Sequence, residues 1–158
     1  MMIVQDLFTD FFRHFHFMPT HSLVLNLKKS VKKRYASERV DNIVAEKTYH
    51  SFLKCLSKKC VPHNHYRRYK TKLTAIASCE ISSSYRPHLH ILIKKPDHLC
   101  ESTFLKLIRE TADNNEYVAP SKYAVHITNL TLLPDQHRHN IMNYNMKDIN
   151  KPDAAFIM

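Results

Sequence analysis

None of the 158 residues is glycine, whereas an average chain of this length carries about 11. The loops that cradle phosphate in P-loop ATPases and in dinucleotide-binding domains need glycine at fixed spacing, so both kinds of site are excluded from this sequence. Turns that require a positive φ must use other residues, and asparagine and aspartate tolerate that conformation best. We therefore expect such a turn at Asp113-Asn114-Asn115.

The net charge of +10 is concentrated in one part of the chain. Residues 28–72 contain 14 Lys and Arg residues against Glu38, Asp41 and Glu46, a net +11, so the remainder sums to −1. A polyanion is the simplest partner, and nucleic acid or an anionic membrane surface would both serve. The alternative is a solvated basic face that aids solubility.

The sequence predicts one soluble, cytoplasmic domain spanning residues 1–158. Four cysteines without a secretory signal favour reduced thiols. The residues from Met1 to Phe17 mix apolar and charged side chains, as in a short amphipathic helix, and do not resemble a signal peptide. No stretch approaches the roughly 18 apolar residues of a membrane span, so we expect no membrane partner.

Alternation and helical spacing predict an α+β fold. We expect strands at 22–28, 72–81, 88–94 and 123–133, helices at 38–59, 101–113 and 135–148, and a basic loop at 61–70. The corresponding architecture is an antiparallel sheet of about five strands with helices packed on one side, as in split β-α-β (ferredoxin-like) folds.

Two histidines share one face of the third predicted strand. Because side chains alternate along a strand, His88 and His90 lie on one face and the aliphatic residues between and after them form the core face. Two imidazoles about 7 Å apart by strand rise can converge on one metal ion. An isolated pair of this kind is more often two exposed polar positions.

Glu80 is the candidate third ligand. In a hairpin that turns around Ser84, positions 80 and 88 lie opposite each other and point to the same side. Glu80, His88 and His90 then offer one carboxylate oxygen and two imidazole nitrogens. This set suits Mn²⁺, and it suits Mg²⁺ when a substrate phosphate supplies further oxygens.

Tyr144 and Lys147 lie on one face of the last predicted helix. A free phenol has a pKa of about 10 and is a weak nucleophile. It becomes effective when a metal withdraws charge from the phosphate it attacks and a cation balances the developing charge. Lys147 can be that cation. Alone, Tyr-x-x-Lys also fits a packed aromatic and a solvated lysine.

In this order, the two motifs resemble those of the HUH endonucleases, whose name describes a His-hydrophobic-His pair. The sequence is most similar to the rolling-circle replication initiators (Rep proteins) that have a single catalytic tyrosine in a Tyr-x-x-Lys helix. The resemblance covers roughly residues 20–150. It is carried by Arg86-Pro87-His88-Leu89-His90-Ile91-Leu92-Ile93, by Glu80, and by Asn143-Tyr144-Asn145-Met146-Lys147-Asp148.

The resemblance implies nicking and joining of single-stranded DNA at an origin or hairpin of a plasmid or phage. In that family a divalent metal polarises the scissile phosphate, and tyrosine attack leaves a 5′-phosphotyrosine and a free 3′ hydroxyl. Carried over, His88 and His90 bind the metal, Glu80 completes its site, Tyr144 is the nucleophile and Lys147 orients phosphate. Many such initiators continue into a helicase or a DNA-binding domain. This sequence is therefore expected to be either part of a longer protein or a minimal nickase that relies on host machinery, with a host helicase and polymerase as its partners.

Basic and aromatic residues precede the predicted metal-site hairpin, where they could guide phosphates and stack on bases. The expected DNA-binding residues are Tyr66, Arg67, Arg68, Tyr69, Lys70, Lys72 and Arg86.

Other interpretations stay open. A single-strand transposase of an insertion element has the same His pair and one tyrosine, although the lysine and the Arg-Pro before the pair favour an initiator. A non-catalytic nucleic-acid-binding module would keep only the basic surface. The cluster Cys55-x4-Cys60-x2-His63-x-His65 offers zinc-ligand types, but its spacing is unusual and Cys55 is expected in the core.

Overall fold

The computed structural model describes residues 17–82, 84–147 and 156–157. It combines an antiparallel sheet with α-helices, which confirms the predicted α+β class. The elements are β1 (His21–Asn26), β2 (Ser30–Lys32), β3 (Ser37–Arg39), α1 (Asn42–Cys60), α2 (His63–Tyr69), β4 (Ala75–Ile81), β5 (Pro87–Ile93), α3 (Glu101–Asp113), β6 (Val125–Asn129), a 3-10 helix (Leu130–Leu132), α4 (Asp135–Met146) and β7 (Phe156–Ile157). Two predictions lie outside the described residues. One is the helix expected from Met1 to Phe17, of which only Phe17 is described, and the other is the end of the last helix at Asp148.

Five strands form the main sheet in the order β6-β1-β5-β4-β7, and every neighbouring pair is antiparallel. Strand β5 is central, and its neighbours on both sides determine what surrounds the histidines. His88 pairs with Asn26 of β1 and with Glu80 of β4, while His90 pairs with Val24 and Ser78.

One face of the sheet packs against α1 and α3. The alternate residues Leu89, Ile91 and Ile93 of β5 are fully buried there, each contributing roughly 1.5–3 kcal/mol by leaving water. Helix α1 begins where the Asp41 side chain accepts a hydrogen bond from the Val44 amide at 2.9 Å, which caps an otherwise unpaired N–H. Aromatic and aliphatic side chains from α1 and α3 complete this core, including Tyr49, Phe52, Leu56, Phe104 and Ile108.

The other face is covered in part by α4, so the expectation of helices on one side only was wrong. A second cluster of buried residues joins Met142 of α4 to Ile76 and Leu92 of the sheet, together with Phe17 and Leu130. The sequence signal for this contact is weak because α4 is polar apart from this short apolar stripe. The helix that contains Tyr144 therefore lies on the histidine face.

The segment predicted as a basic loop forms the short helix α2 instead. Pro62 precedes the helix with φ −52°, and a proline ring favours this start to a helix. Lys70 ends it in the left-handed conformation with φ 52°. None of its residues is buried, so no apolar periodicity was available to reveal it.

Positive φ values occur at Lys70 and Tyr85 and at no other described residue. The turn expected at Asp113-Asn114-Asn115 was therefore assigned the wrong conformation; Asn114 has φ −85°. Lysine and tyrosine accept this conformation at a modest energetic cost, since β-carbon crowding disfavours it.

A hairpin formed by β2 and β3 was not predicted. It follows β1 directly, and the Lys33 amide donates a backbone hydrogen bond to the Ala36 carbonyl at 2.8 Å to close its turn. Val31 and Val40 anchor it to the main core. Its charged sequence lacks the alternation from which strands are recognised.

Candidate active site

The histidine face of the sheet brings Glu80 and His90 into direct contact. Glu80 lies opposite His88, as the hairpin register predicts, and its side chain reaches diagonally so that Oε2 is 3.0 Å from His90 Nε2. A carboxylate can only accept, so Nε2 of His90 carries the proton in this arrangement. The pair joins two strands at the end of the sheet where β5 begins.

Lys147 holds the second oxygen of the same carboxylate. Its Nζ donates to Glu80 Oε1 at 3.1 Å. Partial burial raises the pKa of the Glu80 carboxyl, but the hydrogen bonds from Lys147 and His90 outweigh burial and bring the pKa below its ordinary value. Glu80 is therefore an anion at neutral pH, available to a cation.

His88 is oriented by Asn26. The Asn26 amide nitrogen donates to the Tyr123 carbonyl at 3.1 Å, which directs its oxygen Oδ1 to His88 Nδ1 at 2.6 Å. Since an amide oxygen only accepts, Nδ1 carries the proton and Nε2 keeps a lone pair. This is the outer contact that commonly fixes a metal-binding histidine.

Burial favours the neutral imidazole of His88. It lowers the pKa of His88, and the nearby His90 and Arg86 lower it further, against an opposing contribution from Glu80. A neutral ring is the form that binds metals.

His90 is the most enclosed member of the group. It is 6% exposed, and its Nδ1 is buried without a hydrogen-bond partner among the described residues. Leaving a buried polar atom unpaired costs about 1–3 kcal/mol, and such atoms call for a functional explanation when they occur in a native fold. Here the residue with the unpaired atom lies beside Glu80 and Tyr144.

Tyr144 stands against His90. The two rings meet edge to face with centroids 5.7 Å apart and an interplanar angle of 77°. Tyr144 is 53% exposed, so its side chain is accessible to a large substrate. The Tyr144 ring is thus in contact with His90 without being buried.

Lys147 lies over the tyrosine ring, with Nζ 3.9 Å from the ring centroid, within the range of a cation–π contact. Burial lowers the pKa of Lys147, but the neighbouring Tyr144 hydroxyl and Glu80 carboxylate raise it above its ordinary value overall. The ammonium therefore stays charged beside both groups.

The placement of α4 depends on residues that sequence reasoning missed. Asn145 is 3% exposed, and its amide donates to Ser22 Oγ at 2.7 Å. Ser78 Oγ donates to the Asn145 carbonyl at 2.5 Å. Asn145 is adjacent to Tyr144 in the helix, so these bonds to β1 and β4 fix where the phenol stands. The two serines occupy positions on the histidine face, a signal that becomes readable only once the register is known.

The donor chemistry of the site fits a hard divalent cation. His90 Nε2 carries a proton in its hydrogen bond to Glu80 Oε2, and it would have to release that proton to become a metal ligand. In the part of the chain that the structure describes, no three His, Cys, Asp or Glu side chains are grouped closely enough to hold an ion together. His88 would have to join the other two ligands.

The expected DNA-binding residues fall into two places. Arg86 lies in the turn before β5, close enough to His88 to lower its pKa. The other six lie on α2 or just after it, before the first residue of β4. Ala75 and Glu80 are five residues apart along β4, or about 17 Å, so the structure does not bring these six to the candidate site.

The Cys and His cluster does not assemble either. Cys55 is exposed, contrary to the expectation that it lies in the core, and Cys60 is buried.

Among the described helices, none is long and apolar enough to span a membrane. Comparison of the chain with protein-family models, with curated proteins and with solved structures finds no match.

Proposed function

We propose that the protein is a metal-dependent endonuclease and strand transferase of the HUH type, which cuts and rejoins single-stranded DNA through Tyr144. The main support is the convergence of Glu80, His90, Tyr144 and Lys147 through contacts of 3.0 to 3.1 Å and through ring contacts. These residues come from three separate elements, and each has the chemical type that phosphoryl transfer by a phenol needs.

The strand order also supports the resemblance to HUH endonucleases. Strands β1, β4, β5 and β6, taken as first to fourth, have the spatial order 4-1-3-2, with α1 and α3 in the two crossovers. This is the arrangement expected of a β-α-β-β-α-β split fold. The candidate nucleophile follows on α4, which packs on the face that bears the histidines.

A divalent ion held by Glu80, His88 and His90 would supply the positive charge that polarises a scissile phosphate. The phenol oxygen of Tyr144 attacks phosphorus, and the bond from phosphorus to the 3′ oxygen breaks. The phenol proton passes to solvent, and the departing 3′ oxygen takes up a proton. The products are a 5′-phosphotyrosine and a free 3′ hydroxyl.

Lys147 balances negative charge during this step. Its ammonium already lies 3.9 Å from the tyrosine ring centroid, so it can stabilise the phenolate character that develops as the proton leaves. Attack of a 3′ hydroxyl on the phosphotyrosine reverses the reaction and joins the strand. This chemistry serves rolling-circle replication of a plasmid or phage, our preferred setting.

The test is formation of a covalent adduct. The protein is incubated with Mn²⁺ and a pool of end-labelled single-stranded oligonucleotides, and the products are separated on a denaturing gel. We expect a labelled protein band with the wild-type and none with Tyr144→Phe. Because the side chain is more than half exposed, loss of its hydroxyl should leave the fold intact.

Tyr123→Phe is the matched control, since Tyr123 is also exposed and its backbone lies beside Asn26. It should form the adduct normally. A band that persists in Tyr144→Phe assigns the nucleophile elsewhere. Salt-sensitive binding without any adduct, across many sequences, would instead identify a non-catalytic nucleic-acid-binding module. Adduct formation with oligonucleotides that carry insertion-element ends, and not with those that carry replication origins, would favour a transposase.

A further inference from the structure

We propose that residues 28–39, here called the basic hairpin, and the turn before β5 form the surface along which single-stranded DNA reaches Tyr144. This inference rests on the proposed function and adds the location of the substrate track. It differs from the sequence-based expectation, which placed DNA binding on residues 66–72 and on Arg86; of these, only Arg86 belongs to the surface proposed here.

The basic hairpin carries six Lys and Arg residues against Glu38 alone, a net +5. Lys33 is neutralised, because its Nζ lies 2.8 Å from Glu116 Oε1 and 3.7 Å from Glu38 Oε2. Lys29, Lys32 and Arg34 are exposed, and none of the three is in an ion pair with a described carboxylate. Their charges are therefore available to an external polyanion.

The hairpin lies at the same end of the sheet as the candidate site. It begins two residues after Asn26, the partner of His88. At its other end, the Arg39 guanidinium lies 4.9 Å from the ring centroid of Tyr85. Tyr85 belongs to the turn that contains Arg86. The positive surface thus continues from the hairpin to the start of β5.

Exposed aromatic rings favour a single strand over a duplex. Tyr35, at the hairpin tip, is 87% exposed, and Tyr85 is 63% exposed. Each ring has an arginine beside it, Arg34 at 5.3 Å and Arg39 at 4.9 Å. Interleaved cations and aromatics bind unpaired nucleotides, since phosphates meet the charges while bases stack on the rings. The bases of a duplex are paired and cannot stack in this way.

The first experiment measures binding separately from cleavage. All proteins carry Tyr144→Phe, and their affinity for fluorescent oligothymidylate is followed across a range of salt concentrations. Each lost phosphate contact reduces the slope of log affinity against log salt by about 0.7. The hairpin triple variant should lose about 2 from that slope, and its control should lose none. The hairpin variant is Lys29→Gln/Lys32→Gln/Arg34→Gln, and the charge-matched control on α1 and α3 is Lys54→Gln/Lys106→Gln/Arg109→Gln.

The second experiment tests stacking at the turn. Tyr85→Leu should weaken binding roughly 5- to 150-fold, whereas Tyr85→Phe keeps the ring and should bind like the parent. Equal slopes in the two triple variants, or equal binding by the two Tyr85 variants, would overturn the substrate track. Tighter binding of duplex than of single-stranded DNA would overturn it as well. Because binding is measured without the nucleophile, these outcomes are independent of the adduct test. A wild-type protein that binds no single-stranded DNA would refute both proposals.

Discussion

Replacing Asn145 with alanine should loosen α4 without unfolding the sheet. The buried amide of Asn145 donates to Ser22 Oγ at 2.7 Å, and Ser22 is itself buried. The variant removes the donor and leaves the serine hydroxyl unpaired, while the hydrogen bond from Ser78 to the Asn145 backbone carbonyl can persist. The damage is therefore confined to the contact that positions the Tyr144 helix.

The expected size follows from the cost of an unpaired buried polar group, about 1–3 kcal/mol. Because 1.4 kcal/mol corresponds to a tenfold change in an equilibrium constant, the opening of α4 should become roughly 5- to 150-fold more frequent. Beyond this hydrogen bond, α4 is held by the hydrogen bond from Ser78, by the contact of Lys147 with Glu80 and by the small apolar cluster around Met142. The main core, with α1 and α3, lies on the other face and should be unaffected.

Native-state hydrogen exchange measures this directly, since it reports local opening segment by segment. Amides of α4 should exchange faster in Asn145→Ala, while those of β1 and β5 keep their wild-type protection. Asn140→Ala is the control: Asn140 is exposed on the same helix, and the substitution changes helix propensity equally. Equal acceleration of α4 exchange in both variants would refute the assignment of Asn145 as the anchor.

Three further predictions concern the metal site, the thiols and the pH dependence of stability. Asn26→Ala should weaken Mn²⁺ binding to the protein by about 10- to 100-fold in a calorimetric titration, because His88 loses the partner that orients its ring; an unchanged affinity would exclude this role. At neutral pH, iodoacetamide should alkylate Cys100 well before Cys79, as mass spectrometry of digested protein can show. The hydroxyls of Ser102 and Thr103 can donate hydrogen bonds to the Cys100 sulfur and so lower the pKa of Cys100 to about 7, whereas burial raises the pKa of Cys79 to about 12. Burial raises the pKa of Glu101, but the hydrogen bonds from His21 and Asn129 lower it by more, so that the pKa lies below its ordinary 4.5. Its stabilising effect is thus present above pH 4.5 and is lost as pH falls through the folded-state value. Denaturant titrations should show Glu101→Gln less stable than wild-type at pH 7, with the difference shrinking below pH 4.5; a difference independent of pH would contradict this.

The parts of the fold with strong periodicity could be predicted from the sequence. Helix α3 has the predicted bounds, and the hairpin of β4 and β5 has the predicted register, because their apolar residues repeat at the helical and strand periods. The β2–β3 hairpin and α2 were missed for the same physical reason. Their side chains are mostly solvated, so backbone hydrogen bonds rather than a buried face define them.

The candidate site could likewise be predicted only in part from the sequence. His88 and His90 share a face by strand geometry alone, and Glu80 follows from the hairpin register. The contacts of Asn26 and Asn145 could not be predicted, because each joins elements distant in sequence through one polar side chain. The face on which α4 packs depends on tertiary contacts of the same long range.

Glu80 connects the sheet to the end of α4, which is distant from it in the sequence. One of its oxygens faces a sheet histidine, and the other faces the lysine that follows the tyrosine helix. Replacing Glu80 with an uncharged residue would remove a candidate metal ligand and would also remove the hydrogen-bond partner of the Lys147 ammonium group. An inactive Glu80 variant therefore has two possible explanations. A Lys147 variant distinguishes them, because it removes the same hydrogen bond and keeps the candidate metal ligand.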